Sequence, residues 1–170
     1  MIEKAIILYR ERFSTVGLFE NFLYPQIPEI LQAIRSAGYQ TYVATSKPHI
    51  FANRIIEHFG LTFLFDGIYG SELDGTRCDK AELLRYILIS ENLIPAKTVM
   101  VGDRSHDIIG AKKNQILAIG VTYGYGTREE YDKVIQQVIL FLEGKHDEVV
   151  KHLQEQMQDC LLYTSPSPRD

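Results

Sequence analysis

The stretch Val99-Met100-Val101-Gly102-Asp103-Arg104-Ser105-His106-Asp107-Ile108-Ile109-Gly110-Ala111-Lys112 decides the fold of this chain. An apolar run stops at Gly102-Asp103 and a helical pattern restarts at Ser105. That order is the mark of a strand delivering one carboxylate, then a second at Asp107, to the rim of a parallel sheet. Hard cations such as Mg²⁺ take oxygen ligands, and Asp103 with Asp107 can supply a direct ligand and a supporting carboxylate. Each acid also has an ordinary role open to it, Asp103 as a turn residue and Asp107 as an acid in a helix's first turn.

On either side of this stretch, helix and strand patterns alternate. Downstream, Ile116 to Val121 reads as a further strand. Upstream, Lys80 to Asn92 is a helix with Leu83, Leu84, Ile87 and Leu88 on its core face, followed by Pro95 and the strand Thr98 to Val101. Ser71 to Asp79 is a polar loop, and Phe65 to Tyr69 a short strand before it. Ile50 to Phe59 is a helix opened by Pro48 and closed at Gly60, and Pro28 to Ala37 is another, with Pro at its start and Gly38 just past its end. Between these two helices, Tyr39 to Ala44 is a buried strand that runs into the loop Thr45-Ser46-Lys47-Pro48. At the amino end, Ile6, Ile7, Arg10, Phe13 and Phe19 keep a helical rhythm up to the breaks at Pro25 and Pro28. Such alternation predicts an α/β fold with a largely parallel sheet. Sites in such folds lie at the carboxyl ends of strands, where Thr45 and Asp103 both fall, and Lys80 opens a helix from which it can reach the same crevice.

Composition sets the outer limits. The chain has 170 residues, 45% hydrophobic, 11% aromatic and 24% charged, enough apolar material for one globular core. A formal net charge of −4 and a pI near 5.7 give no basic face for nucleic acid or an anionic membrane. No long apolar run and no signal-peptide pattern occur, so a cytoplasmic protein is expected. Cys78 and Cys160 lie far apart without metal spacing, and Cys78 reads as a free thiol in a loop.

A hydroxyl after one strand, a lysine opening a later helix, and a Gly-Asp-x-x-x-Asp loop after a further strand make a phosphate and metal site on chemical grounds. Thr45 can donate to a phosphoryl oxygen, along with backbone N–H groups near the start of the Pro48 helix. Lys80 can neutralise phosphate charge, and Asp103 can hold Mg²⁺ against the phosphoryl group. Taken singly, Thr45 is also an ordinary strand-end residue and Lys80 an ordinary solvated helix lysine. Their order and spacing together favour the site.

The segments Val43-Ala44-Thr45-Ser46-Lys47-Pro48, Tyr69-Gly70-Ser71 with Asp74-Gly75-Thr76-Arg77 and Asp79-Lys80-Ala81-Glu82, and Val101-Gly102-Asp103 to Asp107-Ile108-Ile109-Gly110-Ala111 resemble the haloacid dehalogenase superfamily. The likeness is to its phosphoglycolate phosphatase-like and nucleotidase-like members. It runs from about Phe22 to Glu130, including Tyr123-Gly124-Tyr125-Gly126-Thr127-Arg128-Glu129-Glu130. It implies a Rossmann-like three-layer core and Mg²⁺-dependent hydrolysis of a small phosphorylated metabolite through an aspartyl-phosphate. Thr45, with Ser46 beside it, and Lys80 are then the phosphate-binding groups, Thr45 and Lys80 counting as catalytic, and Asp103 and Asp107 are the metal-binding acids. The family's nucleophile lies in an Asp-x-Asp-Gly-Thr segment at the end of a central strand, upstream of a helical cap, and no such segment precedes Thr45. Glu72-Leu73-Asp74-Gly75-Thr76 resembles it, but lies between the second and third matching segments without a buried strand before it, and reads as a loop.

The resemblance therefore implies a chain lacking the central strand, the nucleophile and most of the cap. Residues 1–21 correspond to a remnant of the cap and a linker, 22–130 to the core, and 131–159 to a helical carboxyl segment. Within that segment Tyr131, Val134, Ile135, Val138, Ile139 and Leu142, then Val149, Val150, Leu153 and Met157, hold helical spacing, as a core helix or a partner-binding one. Residues 160–170, Cys-Leu-Leu-Tyr-Thr-Ser-Pro-Ser-Pro-Arg-Asp, look like a translated sequencing adapter and are set apart from the fold. Two functions stay open: an Mg²⁺-dependent phosphatase, inactive as this fragment, or a non-catalytic module that binds phosphate or a partner. A dinucleotide site is set aside, because Gly120 to Gly126 lacks the required strand, glycine turn and helix order.

Overall fold

The computed structural model describes residues 2–126, and the chain divides into two units, Met1–Thr76 and Arg77–Asp170, each holding one pair of parallel strands. The segments 131–159 and 160–170, expected to be a helical carboxyl segment and a translated adapter, lie outside the described residues.

The first unit runs through helix α1 (Ile2–Thr15), helix α2 (Ile27–Ser36), strand β1 (Tyr42–Pro48), helix α3 (His49–His58) and strand β2 (Gly67–Ser71). Pro28 sits in the first turn of α2, where a missing N–H costs nothing, and Gly38 just past its end takes φ +86°, a conformation that glycine alone adopts without strain. The same device ends α3, with Gly60 at φ +66°. Strands β1 and β2 pair in parallel, Tyr42 with Gly67, Val43 with Ile68 and Ala44 with Tyr69. Their connection through α3 is the crossover that parallel strands require. Leu18, Ala52, Leu61 and Leu64 form the buried apolar centre of this unit. Helix α1 is joined to α3 by Phe13, whose ring meets Phe51 edge-on at 5.6 Å, and by Arg54, which donates to the Ser14 carbonyl at 2.8 Å.

Strand β2 begins later than the Phe65 to Tyr69 pattern predicts. Asp66 is occupied otherwise: its Oδ2 accepts from Thr41 N at 2.8 Å and from Arg35 Nη1 at 2.7 Å, and its own amide donates to the Thr41 carbonyl at 2.8 Å. One carboxylate thus ties the end of α2 to the starts of both strands, with Thr41 Oγ1 donating to the Leu64 carbonyl alongside.

The second unit contains helix α4 (Lys80–Ser90), strand β3 (Val99–Gly102), helix α5 (Ser105–Lys113) and strand β4 (Leu117–Gly120). Strands β3 and β4 pair in parallel without a break, Val99 with Leu117 through Gly102 with Gly120. Leu83, Leu84 and Ile87 of α4 are buried as their spacing predicts, together with Ile108 and Ala111 of α5, Ile116, Ile119 and Val121. Both units therefore build parallel α/β structure with helices packed on strands, the expected architecture. Strand β3 is open for a parallel strand, with Val101 45% exposed.

Removing the Asp66 carboxylate should be felt well beyond its loop. Asp66→Ala leaves the Thr41 amide and the Arg35 guanidinium without their acceptor and is expected to lower stability by about 1–2 kcal/mol, the range for a partly screened charged hydrogen bond. A urea midpoint equal to that of the unaltered chain would remove Asp66 from this role.

Candidate active site

In the second unit, three local features bring Lys80 onto Asp107. Asp79 is the N-cap of α4, its Oδ1 accepting from Ala81 N at 2.9 Å and Glu82 N at 3.0 Å, so that Lys80 becomes the first helical residue. Gly110, within α5, then lets α4 approach closely: a Cβ there would lie 2.8 Å from Lys80 Cγ and 3.1 Å from Ala81 N. The lysine stem crosses this glycine and its Nζ reaches Asp107 Oδ1 at 3.1 Å. Asn114 Nδ2 pins the same junction, donating to the carbonyls of Ala81 at 2.9 Å and Gly110 at 2.8 Å. Both charged side chains are nearly sealed from water, Lys80 at 5% exposure and Asp107 at 7%.

Asp107 and Asp103 differ in what they leave open. The second oxygen of Asp107 accepts from Arg104 N at 3.2 Å, so both its oxygens are engaged within the protein. Gly102 makes room for this carboxylate, since a Cβ there would come within 2.5 Å of Asp107 Cβ. Asp103 is half-buried, and its Oδ2 accepts from Tyr125 N at 2.7 Å, while Oδ1 is engaged by no group among the described residues. Among the described residues no three His, Cys, Asp or Glu side chains cluster as a metal cage. Mg²⁺ does not need one: it keeps several waters and commonly takes one or two carboxylates with the oxygens of a phosphate. A half-buried carboxylate with one unengaged oxygen is a donor set that fits this ion.

In the first unit, Thr45 and Ser46 stand elsewhere than the sequence predicts. Strand β1 does not end at Ala44 but runs to Pro48 through a bulge: Ala44 pairs with Tyr69 and Pro48 with Ser71, so Thr45, Ser46 and Lys47 all lie opposite Gly70. Bulges re-aim side chains beside sites. This one rests on Gly70, where a Cβ would overlap the Lys47 carbonyl oxygen and lie 2.8 Å from His49 N. It is tied by its own hydroxyls, with Lys47 N donating to Thr45 Oγ1 at 3.2 Å and Ser71 Oγ to the Ser46 carbonyl at 3.0 Å. Beside it His49 Nδ1 lies 3.1 Å from Glu72 Oε2. Glu72 to Thr76 folds back as a closed turn in which Asp74 Oδ1 accepts from Thr76 N at 2.9 Å and Glu72 N donates to the Thr76 carbonyl at 2.8 Å. That turn is an ordinary loop, as its sequence context predicts.

The sequence motifs include Gly70, Asp79, Gly102, Gly110 and Gly124 without revealing the packing and capping roles they take. Two signals were available. Asp79 and Glu82 have capping-box spacing, and a glycine inside a helix, which costs about 1 kcal/mol relative to Ala, calls for a packing reason at Gly110. Replacing Lys80 by Met leaves the Asp107 carboxylate buried without its cation, and a loss of about 3–5 kcal/mol is expected; the paired change Lys80→Met with Asp107→Leu should recover much of it. Chemical denaturation of the parent and the two variants measures this, and a Lys80→Met chain as stable as the parent would contradict a sealed pair.

Comparison with known proteins identifies the family. The haloacid dehalogenase-like hydrolase family matches residues 2–114, and a second, HAD-hydrolase-like family matches residues 77–156. A 5'-nucleotidase of Pseudomonas aeruginosa is 50% identical over 127 residues, 75% of this chain and 58% of that protein. Tyrosine-protein kinase PtkA of Mycobacterium tuberculosis is 39% identical over 81% of this chain and 47% of its own length. Phosphoglycolate phosphatases are more distant relatives, at 27–29% identity. The crystal structure of a predicted phosphatase from Clostridium acetobutylicum superposes with a TM-score of 0.81 at 42% identity, covering 89% of this chain and 68% of that one. The chain spans about half the length of the curated relatives it matches. With a family match over most of its length and a parallel α/β fold to go with it, this chain belongs to the haloacid dehalogenase-like hydrolases.

Proposed function

We propose that this chain carries the phosphate- and metal-binding part of an Mg²⁺-dependent phosphate monoester hydrolase acting on a small phosphorylated metabolite. The observation that carries the reading is the buried Lys80–Asp107 contact at 3.1 Å in the same unit as Asp103, whose Oδ1 is left unengaged. In this reading the family resemblance assigns Thr45, Ser46 and Lys80 to the phosphoryl oxygens and Asp103 to the cation, and the contact with Asp107 aims Lys80. The bound cation supplies Lewis-acid neutralisation of the phosphoryl charge. The attacking aspartate, which would form the aspartyl-phosphate by in-line displacement, is not among these residues; the family resemblance assigns it to an Asp-x-Asp-Gly-Thr segment. Nucleoside monophosphates are the favoured substrates on the strength of the Pseudomonas nucleotidase, with phosphoglycolate next. The exposed free thiol of Cys78 suits a reducing, cytoplasmic compartment.

The second reading, a non-catalytic phosphate-binding module, is favoured by one observation: Asp74, in the segment that resembles the nucleophile's, is spent on a turn. The two readings part on turnover. The 170-residue chain is expected to show none on adenosine monophosphate or phosphoglycolate with Mg²⁺ present. Extended at its amino terminus by a relative's strand and Asp-x-Asp-Gly-Thr segment, it should turn over, and Asp103→Ala in that extended chain should lower kcat by about 10²–10³-fold. Unchanged kcat in the Asp103→Ala chain would overturn the phosphatase assignment of this site.

A further inference from the structure

The segment that follows β4 closes onto Asp103. Gly124 lies against the acid so tightly that a Cβ at this position would overlap Asp103 Cβ and Oδ2, and the next amide, Tyr125 N, donates to Oδ2 at 2.7 Å. Backbone conformation does not explain the glycine. Gly38, Gly60 and Gly75 take positive φ, while Gly124 does not, so at this position glycine provides space and not conformational freedom. Nor does the tyrosine ring explain its neighbour, since Tyr125 is 86% exposed and adds nothing to the core. What Gly124 and Tyr125 deliver to the acid is one peptide N–H, on one oxygen of the carboxylate. The same device occurs once more in this unit, where Gly102 makes room for Asp107 and the Arg104 amide holds its Oδ2.

We propose that Gly124 and the Tyr125 amide are positioning groups for Asp103: they hold Oδ2 in a charge-assisted hydrogen bond and so turn Oδ1 toward a divalent cation. The inference rests on the reading of Asp103 as a cation ligand and adds how that ligand is aimed. A carboxylate on a strand-to-helix loop otherwise rotates about two side-chain torsions, and a partner on one oxygen fixes its plane before the ion arrives. The hydrogen bond also drains charge from Oδ2, favouring one-oxygen coordination through Oδ1, the mode that the octahedral shell of Mg²⁺ accepts. Glycine at 124 is required because any side chain would lift the segment from the acid and withdraw the amide.

Two measurements on the whole chain test this, with Mn²⁺ alone as the probe. Binding is read from paramagnetic broadening of backbone amide signals. Gly124→Ala and Tyr125→Pro, the second of which deletes the donor, should each weaken Mn²⁺ binding about 10–100-fold, the effect seen when a partner of a metal ligand is lost. Asp103→Asn should abolish site-specific broadening. Hydrogen exchange at Tyr125 N in the unaltered chain should be slow and should accelerate in Asp103→Ala; this needs no altered segment to fold. Gly124→Ala binding as tightly as the parent, or a Tyr125 amide exchanging at the rate of a free peptide, overturns the positioning role and leaves Asp103 as ligand. Unchanged binding by Asp103→Asn overturns the ligand assignment itself, and the positioning role with it.

Discussion

The second unit depends on a lysine ammonium and an aspartate carboxylate sealed together between two helices. Two charges that are 5% and 7% exposed cost several kcal/mol each to remove from water, and only close approach with further hydrogen bonds offsets that. The surrounding sequence serves that approach. Asp79 fixes where α4 starts, Gly110 lets its first turn lie on α5, Asn114 locks the junction, and Gly102 with the Arg104 amide takes care of the far side of the carboxylate. A pair this expensive is poor evidence for stability. Its sense is specificity of placement, since it sets one cation at a fixed point near the carboxyl end of β3.

The first unit uses backbone where the second uses side chains. Thr45 and Ser46 are carried on a bulge that rests on Gly70, and the hydroxyls of Thr45 and Ser71 tie it down. In both units a glycine is placed where one chain segment must touch another near a functional group, and in neither case is positive φ the reason. Of the glycines that take positive φ, Gly38 and Gly60 end helices and Gly75 lies in the Glu72 to Thr76 turn.

Much of this was legible in the sequence because periodicity and chain punctuation are local. The core face of α4, the Pro28 and Gly38 brackets of α2, and the apolar run into Gly102-Asp103 each follow from residues within a turn or two. What was not legible depends on contacts across the chain. The Thr45-Pro48 stretch reads as a loop, because a bulge is defined by the partner strand's register and not by its own residues. The late start of β2 follows from Asp66 being claimed by Thr41 and Arg35, distant in sequence. Gly102, Gly110 and Gly124 are unremarkable in a sequence and become informative only when the atoms that would meet a Cβ are known.

Asp103 and Asp107 look equivalent in the sequence, two acids flanking a helix start. The fold makes them opposites. Asp107 meets Lys80 through one oxygen and the Arg104 amide through the other, so an ion approaching it meets a carboxylate that is already paired. Asp103 keeps an unengaged oxygen at a half-buried position and is not neutralised by the amide that holds it. Lys80, Asp103 and Asp107 together therefore leave one net negative charge, and it resides on Asp103. A divalent cation drawn to that charge would turn it into one net positive charge, which attracts a phosphate dianion. On the proposed reading, the bound cation raises the affinity for the anion, and by linkage the anion raises the affinity for the cation to the same degree.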